Sequence, residues 1–241
     1  MIEAALWGLV GGLALVLGAL VAFELKPSRR TIAYVMAFGS GVLISAIAYD
    51  LTAEAFKLAG GDAVGIGLAA GALVYAGLDH LIERPAANKR TGADPGDGAR
   101  GIALGALLDG IPESAAIGLT LLEGGGVGVA FVVAVFISNL PESISASAEF
   151  ARGGRSRMWI LRLWLAIAAA SAASAAIGYG LLGGGSGYLQ AVVDAFAGGA
   201  ILTMLATSMM PKAYEQGGRS VSIGLVTVIG FAFAAALTSF A

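Results

Sequence analysis

The sequence contains no cysteine and a single histidine, His80. The first absence excludes a disulfide framework and a thiolate metal site; the second excludes an imidazole cluster. Charge is scarce too, at 12% of the 241 residues, against about 25% in an ordinary soluble domain. With 58% hydrophobic residues and a mean hydropathy of +0.86, the polar side chains are too few to cover a globular surface. The chain therefore reads as an integral membrane protein whose surroundings are lipid, and no nucleic-acid partner is expected. There is no GxxxxGK[ST] phosphate loop. Nor does the chain offer a zinc-binding His pair or a nucleophile–base constellation, so it reads as neither ATP-driven nor an enzyme. The amino-terminal stretch MIEAALWGLVGGLALVLGALVAFELK lacks the basic flank of a signal peptide and has a longer apolar core, which predicts a retained first helix.

About 20 apolar residues span ~30 Å of hydrocarbon at ~1.5 Å per residue. Eight segments qualify: 4–24, 31–56, 63–83, 101–122, 127–149, 158–182, 189–212 and 220–240. The expectation is an all-α, polytopic membrane protein with eight transmembrane helices. Turn-rich connections such as LKPSRR, EGGG and LGGGSG separate the segments. The longest connection, ERPAANKRTGADPGDGAR, reads as a flexible loop. Lys26, Arg29, Arg30, Arg84, Lys89, Arg90, Arg100, Arg152, Arg155, Arg157, Arg162, Lys212 and Arg219 fall on the odd-numbered connections, and Lys57 alone falls on the other side. By the positive-inside rule the odd connections are cytoplasmic, both termini are extracytoplasmic, and Arg152, Arg155 and Arg157 act as topology anchors. The plasma membrane is the expected location.

Two parts of the chain resemble each other. AFGSGVLISAIAYDLTAEAF (37–56) aligns with AFAGGAILTMLATSMMPKAY (195–214), and GGDAVGIGL (60–68) matches GGRSVSIGL (217–225) at six of nine positions. The first copy leaves a cytoplasmic loop and the second an external one, so the copies run oppositely, as in many secondary transporters. The domains expected are a first three-helix repeat (1–84), a cytoplasmic loop (85–100), two central helices (101–151) and a second, inverted three-helix repeat (152–241). This is a 3+2+3 arrangement.

The central pair carries the chemistry. LLDGIPESAAIGL (107–119) and FISNLPESISASA (136–148) each set Pro-Glu-Ser inside an apolar helix. Pro112 and Pro141 release the carbonyls of Leu108 and Ile137, which must then face a polar cavity or find other partners. Asp109 and Glu113 are spaced i, i+4 and share a helix face, as do Ser138 and Glu142; Asn139 lies i, i+3 from Glu142. A carboxylate at the bilayer centre costs about 2.5–3.5 kcal/mol even on the insertion scale, and no basic residue lies inside these two helices. Two functional states remain, protonation and a bound cation, beside the plain reading that Pro-Glu kinks and locks the helices. Gly110, Ser114, Ser143, Ser145 and Ser147 are small enough to let the pair approach closely.

DGIPES (109–114) and SNLPES (138–143) resemble the His-Asn-x-Pro-Glu-Gly type motifs on helices 4 and 5 of the ZIP (Zrt/Irt-like) family of divalent metal transporters. The resemblance implies a metal site between the two helices bridged by Glu113 and Glu142, with Asp109, Ser138 and Asn139 beside them. It also implies a homodimer and an elevator-like movement of the central helices. The departures are Asp109 and Ser138 in place of the family's histidines, and Gly110 in place of its first asparagine. Ser171 and Ser174 stand where many members have a helix 6 glutamate, and no histidine lies in 84–100. The remaining donors are oxygens, which suit Mg²⁺, Mn²⁺ and Ca²⁺, whereas resemblance favours zinc or iron. Transported zinc, manganese, iron, magnesium or cadmium is expected, with no resident cofactor. Two other readings stay open: a proton- or cation-coupled carrier of another solute, and a metal-sensing membrane protein without transport.

Asp50 and Glu54 on the outer half of helix 2 are candidates for an external access path. Ser45, Tyr49, Thr203, Thr207 and Ser208 are candidates for its lining or for helix packing. Met204, Met209 and Met210 read as packing residues, and His80 as a surface or exit-path residue.

Overall fold

In lipid a backbone satisfies its polar groups by forming helices, and in the computed structural model the chain is helical with no strand among the described residues. The structure describes residues 1–88, 95–123, 127–182, 186–217 and 220–238. The helices are α1 (Ile2–Glu24), α2 (Arg29–Ala46), α3 (Ala53–Asn88), α4 (Pro95–Thr120), α5 (Val129–Arg152), α6 (Arg157–Leu182), α7 (Gly187–Met204), α8 (Met210–Gly217) and α9 (Ser220–Thr238). A π-helical turn, Ile47–Thr52, joins α2 to α3, and a second, Leu205–Met209, joins α7 to α8.

Among the described residues, six stretches are long and apolar enough to cross a membrane: Ile2–Glu24, Arg29–Ile82, Gly101–Thr120, Val129–Arg152, Arg157–Gly180 and Gly187–Gly217. Val221–Leu237 is a shorter apolar helix. The molecule is thus an all-helical, multi-pass membrane protein. Inside α3 the helix breaks at Gly60, whose φ of 77° and ψ of −174° lie where a side chain is disfavoured. The loop expected over 85–100 is narrower than its composition implied. Helix continues to Asn88 and resumes at Pro95, residues 89–94 lying outside the described residues. A helix can project into water because its backbone is satisfied internally, and proline fits a first helical position, where no N–H is needed.

Packing relies on small residues, since lipid offers no hydrophobic drive to bring apolar helices together. α1 lies against α5 and α6, α4 against α6, α2 against α9 and α3 against α7. The α2–α9 and α3–α7 crossings are among those that leave no room for a side chain. A Cβ on Gly41 would lie 1.9 Å from the Thr227 carbonyl oxygen, and one on Gly230 would lie 2.1 Å from that of Phe38. On the other side, a Cβ on Gly199 would lie 2.2 Å from the Leu68 carbonyl oxygen, and one on Gly71 would lie 2.0 Å from that of Phe196. The two helix starts are also alike. Ser28 accepts a hydrogen bond from the Thr31 N–H (3.1 Å), and Ser186 accepts one from the Leu189 N–H (3.3 Å).

Larger side chains fill the remaining interior. Phe131, Met36, Leu43, Ile47, Leu51 and Ile201 belong to the main cluster, and Trp164, Phe150, Leu15 and Ile160 to a second. Trp164 donates its indole N–H to Ser147 Oγ at 2.8 Å, so burial leaves no orphan donor there. Leu6, Leu13, Leu17 and Leu20 point outward along α1, as do Val221, Leu225, Val228 and Ile229 along α9. Such apolar exteriors fit a lipid environment.

Candidate functional site

A cavity of about 650 Å³ lies among α3, α4, α5, α7 and α8. Its lining includes Gly101, Gly105, Asp109 and Glu113 along α4, and Ser138, Glu142, Ser145 and Glu149 along α5. The start of α4 and the end of α5 meet at one end of it, so these helices are antiparallel. Ile82 and Asp79 near the end of α3, with Lys212 and Glu215 on α8, line the cavity as well. It therefore runs from Glu113 toward the end of the bundle that holds the ends of α3 and α5 and the start of α4.

The i, i+4 spacing brings Asp109 and Glu113 to the same wall, and across from them Ser138 and Glu142 do the same. Asp109 is buried and accepts a hydrogen bond from the Tyr75 hydroxyl of α3. Glu113 is 1% exposed; its carboxyl is within hydrogen-bonding reach of Ser138, and its Oε2 has no partner. The Ser138 hydroxyl donates its one proton to the Val135 carbonyl oxygen at 2.9 Å. Asn139 goes elsewhere: its amide donates to the Gly11 carbonyl oxygen of α1 at 3.2 Å, and it does not line the cavity. One position along a helix is a turn of about 100°, which separates Asn139 from Ser138.

Six carboxylic side chains, Asp79, Asp109, Glu113, Glu142, Glu149 and Glu215, line the cavity, with Lys212 as the cation among the described lining residues. The charge of Lys212 reaches both Asp109 and Glu142. Among the described residues, no group of three or more His, Asp or Glu side chains closes around one point tightly enough to hold a metal ion. The carboxylates face a shared space rather than a finished coordination sphere.

Comparison with protein-family models and with curated proteins gives no match.

The other expected positions divide between cavity and packing. Thr207, Ser208, Met204 and Met209 line the cavity. Thr203 donates to the Gly199 carbonyl oxygen at 2.8 Å within its own helix. Ser45 is fully buried with its hydroxyl unpartnered, and Tyr49 packs on Phe231 at a ring separation of 6.1 Å; neither lines the cavity. Asp50 and Glu54 are also absent from its lining, and Glu54 pairs with Lys57. His80 is exposed and off the cavity. Gly110 faces Ser171, whose Oγ would lie 3.8 Å from a Cβ at position 110, and Ser174 donates to the Ile111 carbonyl oxygen at 2.9 Å.

Sequence reasoning missed Tyr75 and Lys212. Both lie on helices distant in sequence from the Pro-Glu motifs, and no spacing ties either residue to them.

Proposed function

We propose that the protein carries divalent metal cations across a membrane by alternating access, with the cavity between α4 and α5 as its substrate site. The observation that carries the reading is the arrival of Asp109, Glu113, Ser138 and Glu142 on one cavity within an apolar bundle. Carboxylates at that depth are costly unless neutralised, and a divalent cation supplies charge that Lys212 alone does not. An incompletely closed donor set is compatible with a carrier, which must release its ion as well as bind it. On binding, Glu113 and Glu142 draw together around the ion and Asp109 joins them.

The likeness of DGIPES and SNLPES to ZIP transporter motifs supports zinc, with iron and cadmium, while the all-oxygen donors support manganese and magnesium. Gly110 opposite Ser171 supplies no carboxylate, which favours one metal ion over two. Asn139, engaged with α1, is not part of the ligand set in this conformation.

We propose eight spans. The 54-residue stretch Arg29–Ile82 would be about 80 Å long as one straight helix, far beyond ~30 Å of hydrocarbon. Its break at Gly60 divides it into two arms, and α9 completes the count. An inverted 3+2+3 repeat is supported by paired features: caps Ser28 and Ser186, π turns Ile47–Thr52 and Leu205–Met209, and tight crossings at Gly41 and Gly199. With the basic connections in the cytoplasm and both termini outside, the cavity opens inward. The homodimer and the elevator-like movement implied by the ZIP resemblance remain part of this reading.

The deciding experiment is uptake of Zn²⁺, Mn²⁺, Fe²⁺, Mg²⁺ and Cd²⁺ into proteoliposomes holding the purified protein. Saturable uptake of at least one ion is expected; none for any ion sinks the proposal and leaves a carrier of another solute or a sensor. Tyr75 gives a finer test. Tyr75→Phe removes the hydroxyl that orients Asp109 while keeping the ring, and should weaken equilibrium metal binding by roughly 10-fold, the scale for losing a partner that orients a ligand. Unchanged affinity would show that Tyr75 has no part in the site.

A further inference from the structure

A second acidic group lies outside the cavity. Asp194 is on the first half of α7, the half farther from α8; its side chain is 0% exposed and both carboxylate oxygens lack a hydrogen-bond partner. On α7 it lies between Ala191 and Ala195, which pack with Ala55, Ala63 and Val64 in a small apolar cluster. One turn further along, Gly198 faces the π turn, where a Cβ would lie 3.3 Å from Ile47 and 3.7 Å from the Thr52 hydroxyl. This face of α7 is therefore turned toward Ile47–Thr52.

That turn carries Asp50, whose Oδ2 is likewise buried and unpartnered. Glu54, at the start of α3, acts electrostatically on both Asp50 and Asp194, and is itself paired with Lys57. Asp62, farther along α3, is exposed. α4 also packs on α7, and its acids Asp109 and Glu113 belong to the cavity. Among the described residues Asp194 thus meets acids and has no hydrogen-bonded cation.

A buried carboxylate without compensating positive charge is strongly unfavourable. A divalent ion brings two positive charges, more than one carboxylate balances, and Asp194, Asp50 and Glu54 do not close on one point to share it. One positive charge is what a single orphan carboxylate lacks. We propose that Asp194 is a binding site for a monovalent cation, H⁺ or Na⁺, drawn in by Asp50 and Glu54 from the end of the bundle opposite the cavity mouth. The site does not depend on what the cavity carries. Its occupancy has a direct mechanical route to the cavity, because α7 runs through the second π turn into α8, whose Lys212 lines that wall.

The test uses the purified full-length protein and dicyclohexylcarbodiimide, which modifies buried protonated carboxyls, with the adduct at Asp194 quantified by peptide mass. If Na⁺ is the occupant, about 100 mM NaCl lowers the adduct roughly threefold or more relative to choline chloride. If H⁺ is the occupant, the adduct in choline falls by a similar factor between about pH 6 and pH 8 and Na⁺ has no effect. Either result supports the site and identifies the ion. An Asp194 adduct indifferent to both, protection by micromolar Mn²⁺ or Zn²⁺, or no adduct at all overturns it. As a second readout, the thermal midpoint of the wild type should rise with the occupant by about 3 °C or more, and that of Asp194→Asn should not. Equal responses in the two proteins likewise overturn the proposal.

Discussion

Glu113→Ala and Glu142→Ala should each lower saturable metal uptake by roughly 100-fold or more, the largest functional effect anticipated in this chain. Removing one carboxylate ligand leaves the charge of a bound cation uncompensated, a loss on the scale of about 3–5 kcal/mol seen when one partner of a buried ion pair is removed. Glu113 is 1% exposed and shares the cavity with Glu142, so neither deletion can be offset by water alone. Asn139→Ala provides the contrast. Its amide is spent on the Gly11 carbonyl, so its loss should leave equilibrium metal affinity within about twofold while lowering the thermal midpoint, as expected for a lost buried hydrogen bond. Equal loss of metal affinity in all three variants would argue that general unfolding, not ligation, explains the effect. Uptake that persists in both glutamate variants would remove these residues from the site.

The largest structural effect should come from Gly41→Val or Gly71→Val. Even the first carbon of the new side chain would sit 1.9 Å from the Thr227 carbonyl oxygen, or 2.0 Å from that of Phe196. Overpacking usually costs about 1–3 kcal/mol when neighbouring side chains can adjust, but here the obstacle is the backbone of a packed helix. Both variants should lose the monodisperse peak in size-exclusion chromatography in detergent. Gly65→Ala and Gly224→Ala are the controls, since a Cβ at either position meets nothing within 4 Å. Alanine is the better helix residue, so the control midpoints should stay level or rise slightly. Wild-type behaviour in Gly41→Val would mean that α2 and α9 do not cross so closely in the membrane.

Much of this architecture is legible without coordinates because lipid imposes a simple rule: apolar stretches of sufficient length become helices. The spans 4–24, 127–149 and 158–182 differ from α1, α5 and α6 by only a few residues. Helix periodicity likewise places Asp109 beside Glu113, and Ser138 beside Glu142, on shared faces that line one cavity. The same periodicity did not tell which neighbour each face would meet. Asn139 and Glu142 are spaced closely enough to share a ligand, yet the rotation of α5 turns Asn139 to α1.

By itself, the sequence determined the apolar surroundings, the helical class, and the pairs Asp109–Glu113 and Ser138–Glu142 on shared helix faces. Each follows from local composition or from spacing along one helix. Only the tertiary structure decided that Tyr75 holds Asp109, that Lys212 shares the cavity with the two buried acids Asp109 and Glu113, and that Asp194 is sealed among alanines without a hydrogen-bond partner. Those contacts join helices far apart in the chain, and they depend on where glycines let backbones touch, a property of pairs of helices that no single segment encodes.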